Sequence, residues 1–200
     1  MAGRKKFDVE HAVDQAMQVF WQRGYAESSL ELLSAATGLG RGSLYGTFGS
    51  KDELFRRALG RYSAIYSARF DEALAGAHTD PVSAIRAFFD VVLDRIADPA
   101  VPDGCLIAQS AIESTILGPT SAACVRDLLG RQYTRIRSAL DSVHGDPRLM
   151  DELATYVVAV TQSLAVVSRG GMSRDQLRST VRITCETIAQ QLREATSPAS

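Results

Sequence analysis

The sequence has few cysteines and histidines, and this shortage excludes several kinds of site. The three cysteines stand far apart without a Cys-x-x-Cys pair, and the three histidines form no cluster at the spacing of metal ligands. We therefore expect no structural zinc, no other metal and no cofactor, in a protein of a reducing compartment.

An excess of charge of one sign is also missing. The formal net charge is -1 at pH 7, so the chain as a whole has no electrostatic preference for nucleic acid. Any contact with DNA must come from a local patch.

Long apolar runs are absent as well. The longest uncharged stretch, Leu153 to Val167, is interrupted by Thr161, Gln162 and Ser163 and falls short of the roughly 20 residues that span a bilayer. The basic residues 4–6 are followed by acidic residues, where a signal peptide would have an apolar segment. We expect a soluble, cytoplasmic protein without membrane contact.

Catalytic motifs are lacking too. The sequence shows no nucleophile matched with a base and an orienting group, and no phosphate-binding loop. We therefore expect that the protein is not an enzyme. Turnover of a substrate by Cys105 is the one enzymatic alternative left open, and saturable kinetics would establish it.

The pattern that is present is helical periodicity. From Val9 to Trp21 the apolar residues recur at i, i+3, i+4 and i+7, and no segment alternates in the manner of a strand. Later helices are predicted over residues 104–117, 120–143, 146–169 and 173–194, with a break at His144 and Gly145. The sequence therefore predicts an all-α fold of about nine helices.

Capping residues mark where several helices begin. A serine followed three residues later by glutamate or glutamine is typical of a helix N-terminus, and so is an aspartate directly before proline. The predicted starts are Ser28 with Glu31, Ser50 with Glu53, Asp80 with Pro81, and Ser173 with Gln176.

Two short helices between Gly24 and Phe55 differ from the long helices elsewhere. A tight turn at Gly38 joins them and a longer helix precedes them, as a helix-turn-helix head requires. The second short helix would be the recognition helix, anchored by Leu44 and Phe48 and by Leu39 before it.

This stretch, GYAESSLELLSAATGLGRGSLYGTFGSKDELF, resembles the DNA-binding head of the TetR family. The resemblance rests on the Gly-Tyr pair, the Gly-Ser-Leu-Tyr run and the Ser-Lys-x-x-Leu ending, and it covers about the first quarter of the chain. It implies a three-helix helix-turn-helix DNA-binding domain over residues 1–50 and a helical effector-binding and dimerisation domain over residues 51–200. It also implies a homodimeric repressor that leaves a palindromic operator in double-stranded DNA when a small molecule enters the body.

The resemblance further implies which residues contact DNA. Arg41 and Ser43 would read bases, whereas Tyr45 and Lys51 would mainly meet phosphate. The six residues at the family's contact positions are Ser29, Arg41, Ser43, Tyr45, Thr47 and Lys51.

The head departs from the family pattern at a few positions. Ser34 and Thr37 stand where alanine is usual, Gly40 stands where serine usually caps the recognition helix, and Thr47 stands where histidine or tyrosine is common. Each interior glycine costs up to about 1 kcal/mol of helix stability, so we expect a recognition helix that is firm only on DNA. The alternative is a helical small-molecule-binding module with weak or lost DNA binding.

Aromatic residues on the body helices, with two polar residues, predict an effector pocket. The candidate lining residues are Tyr62, Tyr66, Phe88, Phe89, Cys105, Gln109, Glu113, Tyr133 and Tyr156.

Cys105 is the one cysteine with a predicted functional role. It begins a helix, where the helix dipole favours a reactive thiolate. Its Gly-Cys-Leu run, followed by Glu113, resembles a branch of the TetR family in which some members sense electrophiles through this cysteine. A small buried hydrophobic residue is the alternative, and Cys124 and Cys185 are expected only to pack.

The last two predicted helices are candidates for dimerisation. The helix from Asp146 is apolar nearly all round between Leu153 and Val167, which one-sided exposure to water would not favour. We expect the last two helices to form half of an intermolecular four-helix bundle.

Overall fold

The fold is a succession of α-helices. The computed structural model describes residues 2–141 and 146–196, and all regular secondary structure within these ranges is helical. The helices are α1 (Ala2–Arg23), α2 (Leu30–Thr37), α3 (Arg41–Phe48), α4 (Lys51–Leu74), α5 (Pro81–Ala97), α6 (Leu106–Ile112), α7 (Pro119–Leu140), α8 (Pro147–Arg169) and α9 (Arg174–Thr196). The predicted all-α class is confirmed, and the predicted break at His144 and Gly145 lies outside the described residues.

Most of the predicted helix starts are confirmed by their hydrogen bonds. The hydroxyl of Ser50 accepts the Glu53 N–H at 3.1 Å, and Asp80 accepts the Ser83 N–H at 3.0 Å. At the start of α9 the Gln176 N–H donates to Ser173 at 3.3 Å, and the Gln176 side chain accepts the Ser173 N–H at 2.9 Å. This reciprocal pair satisfies two amides that have no partner within the helix.

The predicted start of α2 at Ser28 is wrong by one residue. Ser29 is the N-cap and accepts the Leu32 N–H at 3.3 Å. The hydroxyl of Ser28 is buried and donates to the Gly24 carbonyl at 2.5 Å, so it closes the preceding turn and cannot cap α2.

The first of two compact units consists of Met1–Tyr66 and Cys105–Leu128. Its aromatic core includes Phe20, whose ring meets Phe55 edge-on at 5.0 Å, and Trp21, whose ring meets Tyr62 at 4.8 Å. Helices α1 and α6 are in contact within this unit. The predicted boundary at residue 50 between a DNA-binding and an effector-binding domain stays a prediction.

The second unit consists of Ser67–Gly104 and Leu129–Ser200. Here α9 packs against α5 and α8, and Phe70 contacts Phe88 with ring centroids 4.7 Å apart. Helix α8 is long and apolar enough to cross a bilayer by length and composition, a test that the core helices of soluble proteins also pass. It buries a stripe that includes Leu153, Val157 and Leu164, as a core helix does.

Candidate nucleic-acid interface

The recognition helix α3 is anchored on one side and exposed on the other. Leu44 and Phe48 are buried, while Arg41, Ser43 and Tyr45 are exposed. Thr47 is half-buried. An exposed polar face on an apolar anchor is what a helix needs to enter the major groove. The burial predicted for Leu44 and Phe48 is confirmed, Leu39 is only half-buried, and contact of α3 with DNA stays a prediction.

The turn between α2 and α3 is held by Ser34 and Thr37, two of the residues that depart from the family pattern. The Ser34 hydroxyl donates to the Leu39 carbonyl at 2.5 Å, and the Thr37 hydroxyl accepts the Leu39 N–H at 3.3 Å. Alanine at either position could make neither bond. The backbone of Leu39 is therefore fixed at both its donor and its acceptor, one residue before the N-cap Gly40, which has no side chain with which to cap α3.

Arg41, the predicted base-reading residue, forms an ion pair with Glu31 of α2. Both side chains are more than half exposed, at 61% and 63%. An exposed pair of this kind contributes about 0–1 kcal/mol, whereas a bidentate arginine–guanine contact contributes about 1–3 kcal/mol. The ion pair is therefore weak enough to leave Arg41 available for the base contact that the resemblance predicts.

Lys51 and Ser29 occupy the flanks of α3 where phosphate contacts are predicted. Ser29 is exposed at the start of α2, where free backbone N–H groups favour an anion. The ammonium of Lys51 lies 4.4 Å from the centre of the Tyr25 ring, and partial burial lowers its pKa, opposed by the charges of Glu113 and Asp52. Its cation–π contact places the charge beside Tyr25 in the free protein.

Tyr25 connects this flank to the start of α4. Its hydroxyl donates to Asp52 at 2.8 Å, and its ring contacts Phe55 at 4.9 Å. Burial, followed by the hydrogen bond and the negative charge of Asp52, raises the pKa of Tyr25 to about 12. The phenol therefore stays protonated and keeps donating throughout the neutral range.

Glu113, a predicted effector residue, lies in the first unit against the turn between α1 and α2. Its carboxylate accepts the backbone N–H groups of Tyr25 at 2.6 Å and Ala26 at 3.0 Å. The partners are 88 and 87 residues apart in sequence, and no sequence pattern indicates the contact. A role for Glu113 in effector binding stays a prediction.

The other predicted effector residues are divided between the two units. In the first, the Tyr62 hydroxyl donates to the Cys105 sulfur at 3.2 Å, and the Tyr62 and Tyr66 rings are 4.9 Å apart. Cys105 is buried at the N-cap of α6. Gln109 follows one turn later, and its backbone N–H donates to the Cys105 carbonyl. The structure thus brings three of the predicted residues, Tyr62, Tyr66 and Cys105, into one cluster.

In the second unit, Phe88 and Phe89 are buried and contact each other with their ring centroids 5.8 Å apart. Tyr133 donates to Asp151 at 3.2 Å, and Tyr156 is 38% exposed. A cleft of about 320 Å³ lies between α5 and α9, but its lining includes none of these four residues. Their place in an effector pocket stays a prediction.

The cysteines expected only to pack differ in burial. Cys185 is fully buried in α9, and this burial raises the pKa of its thiol. Cys124 on α7 is half-buried.

Known proteins match both the head and most of the chain. The family described as "Bacterial regulatory proteins, tetR family" matches residues 12–58. The HTH-type transcriptional repressor ComR of Escherichia coli strain K12 is 30% identical over 187 residues, which cover 88% of this chain and 86% of ComR.

Solved structures extend the match to the fold of the body. A TetR transcriptional regulator from Chloroflexus aurantiacus has a TM-score of 0.82 at 28% identity, covering 96% of this chain and 98% of that one. A cysteine mutant of the TetR family regulator CifR, complexed with 26-bp operator DNA, has a TM-score of 0.77 at 28% identity, covering 88% and 94%.

Proposed function

The chain belongs to the TetR family of transcriptional regulators, and from this premise we propose that it is a homodimeric repressor released from a palindromic operator by a small molecule or electrophile. The observation that carries DNA binding is α3, whose polar face is exposed while Leu44 and Phe48 are buried. Such a protein acts in the cytoplasm, where the DNA is.

The first test is binding to DNA from upstream of its own gene. Salt must be fixed and nonspecific competitor present, because the phosphate contribution to affinity falls steeply with salt. Specific retention of a dimer supports the proposal. If neither this fragment nor a random-sequence selection yields a bound DNA, the chain is instead a helical small-molecule-binding module.

Arg41→Ala should weaken operator binding about 5- to 150-fold for each half-site, because each head of the dimer loses one good base contact of about 1–3 kcal/mol. Specificity should relax at one position of each half-site, because only that base pair loses its reader. The readout is affinity for a panel of single-base operator variants. Arg178→Ala is the matched control, since Arg178 is an exposed arginine of α9. Wild-type affinity and selectivity in Arg41→Ala would remove Arg41 from the interface.

The effector response is proposed to act at the cluster of Cys105, Tyr62 and Tyr66. The Tyr62 hydroxyl, 3.2 Å from the sulfur, is placed to stabilise negative charge there during attack on an electrophile. Release itself requires that the effector-bound form bind operator less tightly than the free form.

N-ethylmaleimide, which adds a thiol across its double bond, should release wild-type protein from its operator and leave Cys105→Ser bound. We expect at least a tenfold difference between them in the half-time of release, since burial does not prevent slow access through local opening. Cys124→Ser controls for the half-buried thiol on α7 and should behave as wild type. Equal release of Cys105→Ser and wild type would show that Cys105 is a packing residue.

A further inference from the structure

Glu113 binds the turn between α1 and α2 through two neighbouring backbone amides. The Tyr25 N–H meets Oε2 at 2.6 Å, and the Ala26 N–H meets Oε1 at 3.0 Å, so both oxygens of one carboxylate are used. Hydrogen bonds to an ionised acceptor are about twice as strong as those between neutral groups. Glu113 directly follows α6, as its C-cap residue.

Gly24 shows how closely the turn approaches this carboxylate. A Cβ at this position would lie 2.6 Å from Oε2 of Glu113, and Gly24 has a φ of +79°, which L side chains rarely adopt. Any larger residue would displace the carboxylate as well as strain the backbone. The glycine and the glutamate therefore form one structural feature although they are far apart in sequence.

The turn that Glu113 holds sets the start of the helix-turn-helix. The Gly24 carbonyl accepts the Ser28 hydroxyl, and Ser29 then caps α2. The Tyr25 hydroxyl donates to Asp52 in the first turn of α4. A displacement of this turn would thus reach both the helix that supports α3 and the helix that follows it.

We propose that Glu113 is a positioning residue for DNA binding, which holds the α1–α2 turn in the geometry that presents α2 and α3 to the operator. This inference rests on the proposed function. Since Cys105 and Glu113 are the two caps of α6, the same short helix has one end at the Tyr62 cluster and the other at the turn.

Whether neutralising Glu113 lowers or raises operator affinity distinguishes a positioning role from an effect of its negative charge. Removal of a carboxylate near DNA lowers repulsion and by itself favours binding. A positioning role predicts the opposite, a loss of specific affinity. Glu27, an exposed carboxylate in the same turn, offers the matched control because it can be neutralised without removing the hydrogen bonds of Glu113.

The experiment measures amide exchange of Tyr25 and Ala26 by NMR in the full-length protein, together with operator affinity at fixed salt. The glutamine side chain has only one acceptor oxygen, so in Glu113→Gln at least one of the two amides should exchange about tenfold faster. Operator affinity should fall about tenfold, the expected loss for a hydrogen bond to a charged group. Glu27→Gln should leave exchange unchanged and affinity equal or higher. Unchanged exchange, or undiminished affinity, in Glu113→Gln would overturn the inference.

A second variant reaches the same contact from the other side. Gly24→Ala should reproduce the faster exchange because its Cβ displaces the carboxylate. Gly171→Ala, at a φ of +88° with open space around it, carries the backbone strain alone and should leave both amides protected. Equal exchange rates of the Tyr25 and Ala26 amides in these two variants would also contradict the inference that Glu113 holds the turn. Failure of the wild-type protein to retain any DNA would contradict the proposed function, whereas the exchange result judges the Glu113 contact by itself.

Discussion

Ile183→Asp should convert the proposed homodimer to a monomer and weaken operator binding by about 10²–10⁴-fold, because the two half-sites would no longer be bound by one linked pair of heads. Ile183 is a large apolar residue of α9 and is 51% exposed in the single chain. An aspartate there would be buried without a partner in a bundle formed by two copies of α8 and α9.

The surface around Ile183 supports this choice. Helix α9 has a buried face that includes Leu177 and Ile188, a face rich in charge, and a third face that is uncharged between Gln176 and Gln190. Ile183 is central to the third face. On α8, Tyr156 and Val166 are exposed within the uncharged stretch. We expect the proposed four-helix bundle to cover these exposed apolar residues of α8 and α9.

Sedimentation equilibrium measures the oligomeric state, and a gel shift on a two-half-site operator measures the affinity. As the control, Arg178→Asp introduces an aspartate on the charge-rich face of the same helix and should leave the dimer intact. A dimeric Ile183→Asp that binds operator as tightly as the wild-type protein would place the interface elsewhere.

The sequence predicted the helix-turn-helix because its signals are local. Glycine ends a helix, a serine or aspartate caps one, and apolar spacing identifies the buried face, so each feature is read within a few residues. Leu44 and Phe48 were predicted as anchors in this way, and both are buried. The error at Ser28 arose because two adjacent serines satisfy the same capping pattern, and only the packed turn decides which hydroxyl faces inward.

The contacts of Glu113 could not be predicted because nothing local requires them. A glutamate next to a cysteine-containing helix of the body is equally compatible with a pocket wall. Its partners are backbone amides of Tyr25 and Ala26, and backbone groups carry no sequence signature. The closeness of Gly24 to a carboxylate 89 positions later likewise depends on how α6 packs.

The hydrogen bonds of Ser34 and Thr37 to the backbone of Leu39 could be predicted only in part. Ser34 and Thr37 were visible as departures from the family pattern, but their purpose was not. Their hydrogen bonds show that the glycine-rich α3 starts from a turn fixed by side chains, which reduces the conformational freedom left for DNA to remove. This favours a regulator with a working head over a module that has lost DNA binding.

Phe55→Ala should destabilise the first unit by about 3–5 kcal/mol, the usual cost of deleting a fully buried aromatic side chain. Phe55 has no exposed surface, and its ring contacts Phe20 at 5.0 Å and Tyr25 at 4.9 Å. A cavity there removes support from the end of α1, from the α1–α2 turn and from α4 together. Because proteins are typically stable by about 5–15 kcal/mol, such a loss would leave the head partly unfolded at physiological temperature and abolish operator binding.

Tryptophan fluorescence measures the stability of the first unit specifically, because Trp21 lies in that unit. Trp21 is the single tryptophan of the chain, it is buried beside Tyr62, and its fluorescence therefore reports unfolding of that unit. In Phe55→Ala the fluorescence midpoint in urea should fall well below that of the wild-type protein. Ile65→Ala, on the same helix at a residue 39% exposed, should change stability by about 1 kcal/mol or less. Equal midpoints for the two variants would mean that the packing of Phe55 on Phe20 and Tyr25 does not stabilise the head, and that its rigidity depends mainly on hydrogen bonds such as those of Glu113.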